Sequence, residues 1–419
     1  MFDLLIIANY TQAPGEDNVN RFNYIAQNMN NDHLEIEIVT SSFSHTLKKQ
    51  RDVSEEQRKR ARYKYTMLYE PGYKKNVSLK RIYSHFILGK RLKKYLKIRK
   101  KPDIIYCAVP SLELAKVAAK YAKKNNIKFI IDIQDLWPEA FKMVVKSHFL
   151  RKMLFYLFEK KANYIYSAAN DVIAVSQTYL DRVTKVNNRS NNHFCVFLGT
   201  ELMYFDKLAQ ENKITVKPKD EVWLGYIGTL GHSYDIKLVI DALKIIEDSG
   251  YSDRKYKFIV MGDGPLRQEF EEYGEALGEK LIFTGSLNYG EMIGMLKACD
   301  IAVNPITKGS VASIINKHCD YAAAGLPIIN TQESIEYRNL VDDYEMGYNC
   351  LTSKDVANKL IVLFENPILR EKMGKNSRKL AEEKFDRSHT YKNIFKLLGK
   401  HNVRGSNEFT GITFHNESK

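Results

Sequence analysis

Two groups of residues have the types and spacing to act on a phosphorylated, hydroxyl-bearing ligand. The first is Asn316, Lys317 and Asp320 in SIINKHCDYAAAGLP. Asn316 and Asp320 are four apart and share one face of a helix, with Lys317 in its first turn. A carboxylate there can accept two hydroxyl hydrogen bonds from a ribose, and a lysine can neutralise a diphosphate. An amphipathic helix with surface charges would read the same way. The second group is a pair of glycine turns, YIGTLGHSYD and MGDGP, each directly after an apolar run. Gly228 with Gly231, and Gly262 with Gly264, would let a ligand approach the backbone. The first turn also aims N–H groups and a helix start at an anion. Tight strand-to-helix turns call for the same glycines.

The elements that must hold these groups alternate. Short β-rich runs at 4–9, 35–40, 103–109, 128–133 and 171–176 are separated by helical patterns such as 112–124. After residue 220 the alternation is cleaner. Strands are expected at 222–227, 256–261, 281–284, 301–305 and 327–330, with helices at 236–246, 266–277, 289–298 and 312–323. Strands alternating with helices imply parallel sheets with crossover helices. The expected architecture is therefore α/β, with two Rossmann-like domains over 1–205 and 222–390 facing a central cleft. The polar, turn-rich stretch 206–221 is the expected linker, 356–398 reads as helices, and the polar tail 401–419 shows no periodicity.

Composition narrows the function classes. The five cysteines form no C-x-x-C pair, which argues against a zinc site or disulfide framework and fits a reducing cytoplasm. No run of about 20 apolar residues predicts a transmembrane helix. The N-terminal MFDLLIIANY reads as a buried strand, without the basic start and small-residue cleavage site of a signal peptide. The net charge of +14 is uneven. Residues 1–200 carry 35 Lys and Arg against 18 Asp and Glu, and residues 201–419 carry 29 against 32. Most of the excess lies between Lys48 and Lys101, interleaved with tyrosines and Phe86. That composition suits a segment bound at anionic lipid headgroups, and a solvated basic face would share it. A nucleic-acid partner is the alternative, but no recognisable binding motif accompanies the charge.

The order GTLG, GDGP, FTG and NK-x2-DYAAAGLPII resembles the donor-binding domain of retaining family-4 glycosyltransferases of the GT-B fold. ENPILREKMGKNSRKLAEEKF is similar to that family's C-terminal helices, and DIQDLWPE and VIAVSQ look like its capsule, O-antigen and exopolysaccharide branch. The resemblance implies sugar transfer from a nucleotide diphosphate sugar, with UDP the lead donor, to a growing glycan on a polyprenyl diphosphate. It implies retention by front-face attack, needing neither an enzymic nucleophile nor a metal, and no Asp-x-Asp pair occurs in the chain. No cofactor is expected. The resemblance also places the protein in the cytoplasm, peripherally on the inner face of the membrane.

Residue by residue, the resemblance gives Asp320 the donor ribose and puts Gly15, Gly228, Thr229, Gly231, Gly262, Gly264, Gly285 and Asn316 around the donor. Three family positions differ here. Ala312 stands where a glutamate is usual, and Thr229 and Tyr234 replace an arginine and a lysine that bind the diphosphate. Lys317 is the natural replacement cation, because charge develops on the leaving diphosphate. Gln134 stands where a histidine is common, which makes Asp135 the polar candidate at the reacting centre or, alternatively, a helix N-cap. Arg21, His45 and His85 are the acceptor-side candidates. A nucleotide-sugar epimerase and a catalytically inactive scaffold of a polysaccharide assembly complex are the other readings of the same fold.

Overall fold

The computed structural model describes residues 2–14, 16, 20–29, 33–61, 63–76, 78–137, 139, 148–190, 192–250, 255–310 and 313–399. Gly15, Ala312 and the tail 401–419 lie outside the described residues. The first sheet has seven strands: β1 (Phe2–Ile7), β2 (Leu34–Ser41), β3 (Lys64–Leu68), β4 (Ile104–Val109), β5 (Lys128–Ile133), β6 (Asp171–Ala174) and β7 (His193–Cys195). Its spatial order is β3-β2-β1-β4-β5-β6-β7, and every pairing is parallel. The second has six: β8 (Glu221–Ile227), β9 (Lys255–Met261), β10 (Leu281–Gly285), β11 (Ile301–Asn304), β12 (Ile328–Asn330) and β13 (Gly347–Asn349). Their order is β10-β9-β8-β11-β12-β13, again all parallel.

The apolar runs explain why these segments are strands. Leu4, Leu5, Ile6 and Ile7 are all fully buried, as are Ile130, Ile131 and Ile133, because helices cover both faces of each sheet. Each sheet also reverses its winding once. In the first the reversal lies between β1 and β4, and in the second between β8 and β11. At such a reversal the loops leaving adjacent strands part and open a crevice at the carboxyl ends. Both crevices therefore sit where the loops after β1, β4, β8 and β11 emerge.

Three features differ from the sequence reading. Helix Leu202–Glu211 packs on helix Tyr289–Ala298 and occupies the start of the expected linker, leaving only 212–220 irregular. Strand β3 runs through the basic region, burying Tyr63 and Tyr65 in the core rather than leaving them at a surface. The chain's end also crosses back: Tyr391, Ile394 and Leu398 are fully buried in the core of the first sheet, beside Leu4 and Tyr24. That crossing is clamped where Thr200 and residues 385–387 exchange backbone hydrogen bonds. Gly199 has φ +63°, and a Cβ there would lie 2.3 Å from the Phe385 carbonyl oxygen.

Candidate active site

A cleft of about 410 Å³ lies between the two halves. The first half contributes Asn9 and Tyr10 after β1, Ser111 after β4, and Gln134, Asp135 and Trp137 after β5. Facing them from the second half are Tyr289, Asn316, Asp320 and Arg387. The loops after β1 and β4, at the first reversal, and the helix after β11, at the second, thus supply part of the walls.

Asp320 sits on the cleft-facing side of helix Asn316–Ala324, with Asn316 one turn before it. Its Oδ1 accepts a 3.0 Å hydrogen bond from the Tyr289 hydroxyl, which is 3.3 Å from Thr200 Oγ1. Burial raises the Asp320 carboxyl to about 6, against the pull of Tyr289 and Arg387. Across the cleft, Asp135 accepts from the Leu136 N–H at 2.9 Å and from the Trp137 indole at 3.3 Å. Burial raises it likewise to about 6, opposed by those two bonds and by Arg81. A carboxyl poised there changes charge just below neutral pH, which suits a group at a reacting centre.

Lys317 points elsewhere. Its side chain runs beneath the Gly228 turn, with Nζ 3.7 Å from the Tyr234 ring centroid and 4.2 Å from that of Tyr226. Nζ is buried and has no hydrogen-bond partner. Burial holds the ammonium well below the ordinary lysine range. The Tyr234 that stands in place of a family lysine therefore forms one wall of a slot that holds a different lysine. A Cβ on Gly228, where φ is +133°, would come within 2.7 Å of Nζ. Glycine at 228 leaves the ammonium close behind the turn.

The other glycines separate by what they touch. A Cβ on Gly262 would lie 1.9 Å from the Gly228 carbonyl oxygen, and one on Gly264 would lie 2.3 Å from that of Leu230. The two turns are laced by Gly228 N–H to Met261 O and Leu230 N–H to Asp263 O, both 2.9 Å. Packing of turn on turn is thus sufficient reason for Gly262 and Gly264. Gly285 ends β10 with φ +76°, where a left-handed backbone favours glycine. At Gly231 a Cβ would meet only Thr229 Cγ2 at 3.8 Å, so the fold places no such demand there. The Thr229 carbonyl accepts from the Tyr226 hydroxyl at 3.0 Å.

The acceptor-side candidates lie at different depths. Arg21 opens helix Arg21–Met29 on the cleft floor at 1% exposure, with Nε 3.2 Å from Asp132 and Nη2 donating to Val196 O at 2.7 Å. His45 lines the cleft and its Nδ1 is 2.6 Å from the Tyr73 hydroxyl. His85 lies one layer behind, stacked on Trp137 with ring centroids 6.0 Å apart. Burial and nearby cations lower both histidines to about 3, so both rings are neutral at pH 7. Sequence reasoning missed Arg81, Tyr289, Arg387 and Glu336. Arg81 was hidden in a basic run, and Arg387 reaches the cleft only because the chain crosses back. Among the described residues no three His, Cys, Asp or Glu side chains are grouped as a metal site needs.

Two Rossmann-like sheets facing a cleft that both halves line define the GT-B glycosyltransferase fold. Residues 208–380 match the family model described as glycosyl transferases group 1. The chain is similar to an uncharacterized glycosyltransferase of Methanocaldococcus jannaschii, 24% identical over 61% of this chain and 65% of the relative, just under two thirds of its length. It is 24% identical to the Staphylococcus aureus capsular polysaccharide biosynthesis glycosyltransferase CapM, over 68% of this chain and 74% of the relative. It is 22% identical to a Campylobacter jejuni alpha-1,4-N-acetyl-D-galactosaminyltransferase named for a glycan-PP-undecaprenol acceptor, over 75% and 80%. The structure of Anabaena HepE in complex with UDP shares the fold at a TM-score of 0.65, with 15% identity over 95% of this chain and 99% of that one. These findings support a glycosyltransferase of GT-B fold.

Proposed function

We propose that this protein is a family-4-type retaining enzyme that moves a sugar from a nucleotide diphosphate sugar, UDP-sugar first, onto a polyprenyl-diphosphate-linked surface polysaccharide. The observation that carries this reading is Lys317: a buried amine with no hydrogen-bond partner, held between two tyrosine rings directly behind a glycine turn, on the same helix as Asp320. An unpaired buried cation is costly unless an anion completes it. A donor diphosphate over the Gly228–Gly231 turn would do so, with the ribose hydroxyls on Asp320 and Asn316. HepE, solved with UDP, supports uridine as the base.

In this reading Asp135, ionised above about pH 6, faces the anomeric carbon and stabilises its developing positive charge. The leaving phosphate takes the acceptor proton from the same face, which gives retention and asks nothing of a metal. The lipid-linked acceptor is supported by the name of the Campylobacter relative and by helix Leu79–Ile98. Leu79, Ile82, Tyr83 and Phe86 are exposed at helical spacing on it, followed by exposed Lys90, Lys93, Lys94 and Lys97. That surface would hold the protein on an anionic inner leaflet, and a lipid surface rather than nucleic acid is the partner of the basic half. The test is incubation with UDP-, GDP- and dTDP-sugars, scored by thermal shift and slow donor hydrolysis. Stabilisation and hydrolysis with one UDP-sugar is the expected result. Absence of both with every donor would remove the proposal.

A further inference from the structure

The first half of the cleft carries a second unsatisfied cationic site, remote in sequence from Lys317. Arg81 and Lys48 converge on Asn76 and on the ring of Tyr73. Arg81 Nη1 donates to the Asn76 carbonyl at 2.7 Å, and Lys48 Nζ donates to the Asn76 side chain. The Arg81 guanidinium lies 5.5 Å from the Tyr73 centroid and Lys48 Nζ lies 5.0 Å from it. Arg81 is further held over Trp137 at 4.6 Å and bonded to the Tyr10 hydroxyl at 2.8 Å. Its Nε is nonetheless buried without a partner. Among the described residues neither Arg81 nor Lys48 forms a salt bridge. The nearby carboxylates are engaged elsewhere: Glu70 with Ser84, and Asp135 with Leu136 and Trp137. His45 adds a third nitrogen, 3.4 Å from Lys48 Nζ.

We infer that Arg81, Lys48 and His45 form a binding subsite for a phosphoryl or diphosphoryl group carried by the acceptor. This rests on the glycosyltransferase reading above. Arg81, His45, Tyr10 and Trp137 line the first-half wall, opposite Asp320 and Asn316, so the anion they hold is not the donor's. A guanidinium fixed by aromatic faces, with N–H groups beyond the two given to Asn76 and Tyr10, suits a phosphate oxygen, with Lys48 as the second charge. Burial and the Arg81 charge lower Lys48 to about 8, so a bound dianion would restore its full protonation. Arg81 also stands in the first turn of helix Leu79–Ile98, one residue before exposed Ile82 and Tyr83. A phosphate held here has its continuation at the edge of the apolar stripe.

The chain's two tryptophans make the test direct. Trp137 lies under Arg81, and Trp223 is bonded to Glu221 in the other half. In a Trp223→Phe background, Trp137 emission reports the first-half wall of the cleft, and the Lys317 variant separates donor-site binding from it. Inorganic pyrophosphate, farnesyl diphosphate and glucose 6-phosphate are titrated against the full chain, with glucose as control. Saturable quenching by pyrophosphate is expected, weakened about tenfold or more by Arg81→Gln and by Lys48→Gln. It should persist in Lys317→Gln, while UDP thermal shift persists in both subsite variants. Lys48 is partly exposed, so its variant keeps the test open if Arg81→Gln misfolds. A preference for farnesyl diphosphate assigns the group to a lipid carrier, and one for glucose 6-phosphate to a soluble sugar phosphate. Either sustains the subsite. No pyrophosphate response, or one lost in Lys317→Gln and kept in Arg81→Gln and Lys48→Gln, overturns it. Loss of the UDP shift in the unsubstituted protein would instead count against the donor reading.

Discussion

Lys317 and Asp320 share one helix, and burial disfavours the charged form of each. Two consequences can be measured. Replacing Lys317 with Met keeps the length of the side chain between Tyr226 and Tyr234 and removes a buried amine that has no hydrogen-bond partner. The unliganded protein should gain about 1–3 kcal/mol of stability, while nucleotide affinity falls by about 100-fold. Thermal melts with and without UDP read both effects. For Asp320 the sign runs through protons. Its carboxyl ionises near 4 in the unfolded chain and near 6 in the fold. Between those values the folded protein keeps a proton that the unfolded chain has released. Stability therefore falls as pH rises from about 4 to 6 and remains lowered above that. Asp320→Asn should flatten this part of the pH–stability curve and melt a few degrees higher at pH 7. A curve unchanged from the parent would mean that the Asp320 carboxyl is not raised. Loss of nucleotide binding in the same variant would tie the strained carboxyl to the ligand.

At the level of elements, the glycine turns separate structural need from functional room. Gly262→Ala forces a Cβ against the Gly228 carbonyl and should cost several kcal/mol or prevent folding. Gly231→Ala makes only an ordinary van der Waals contact with Thr229 and should leave the melting temperature within about 2 °C. If the ligand approaches that turn closely, the same substitution should still weaken UDP binding, and unchanged binding would remove Gly231 from the donor site. Helix Leu79–Ile98 carries its own prediction: Ile82→Ser with Phe86→Ser should abolish flotation with anionic vesicles while leaving UDP binding intact. How much of this was legible in the sequence follows from what each element displays. The continuous apolar strands were readable because both faces are buried. The turns were readable as glycines after strands, but not which glycine served packing, because that depends on a neighbouring loop. Strand β3 was hidden because Lys64 and its basic neighbours masked a half-buried edge strand. Lys317 was legible as a cation in the right turn. Its slot between two tyrosines was not, since Tyr226 and Tyr234 lie about 90 residues away.

Across the whole molecule, the two halves are joined by more than the chain. Glu336 accepts from the Gln177 N–H at 2.7 Å and from Thr178 Oγ1 at 3.2 Å, at the start of helix Gln177–Thr184 in the first half. It also accepts from Ser313 Oγ at 2.6 Å, just before the Asn316–Ala324 helix. One carboxylate thus ties the facing half to the segment that presents Lys317 and Asp320. It also lies where the dipole of the Gln177 helix favours negative charge. Glu336→Ala should open the cleft, raising the radius of gyration in small-angle scattering, and closure on adding UDP should require more nucleotide. An unchanged scattering profile would show that the crossing at residues 198–201 and 385–387 sets the angle alone. The central claim is that the second half binds a nucleotide diphosphate through the Lys317 ammonium, and calorimetry tests it most directly. UDP is titrated across a pH series in two buffers of different ionisation enthalpy. The account predicts saturable 1:1 binding with net proton uptake, because the diphosphate restores the charge on Lys317, and predicts that Lys317→Met loses both the uptake and the affinity. Binding of equal affinity in Lys317→Met, or no binding by the unsubstituted protein, would contradict it.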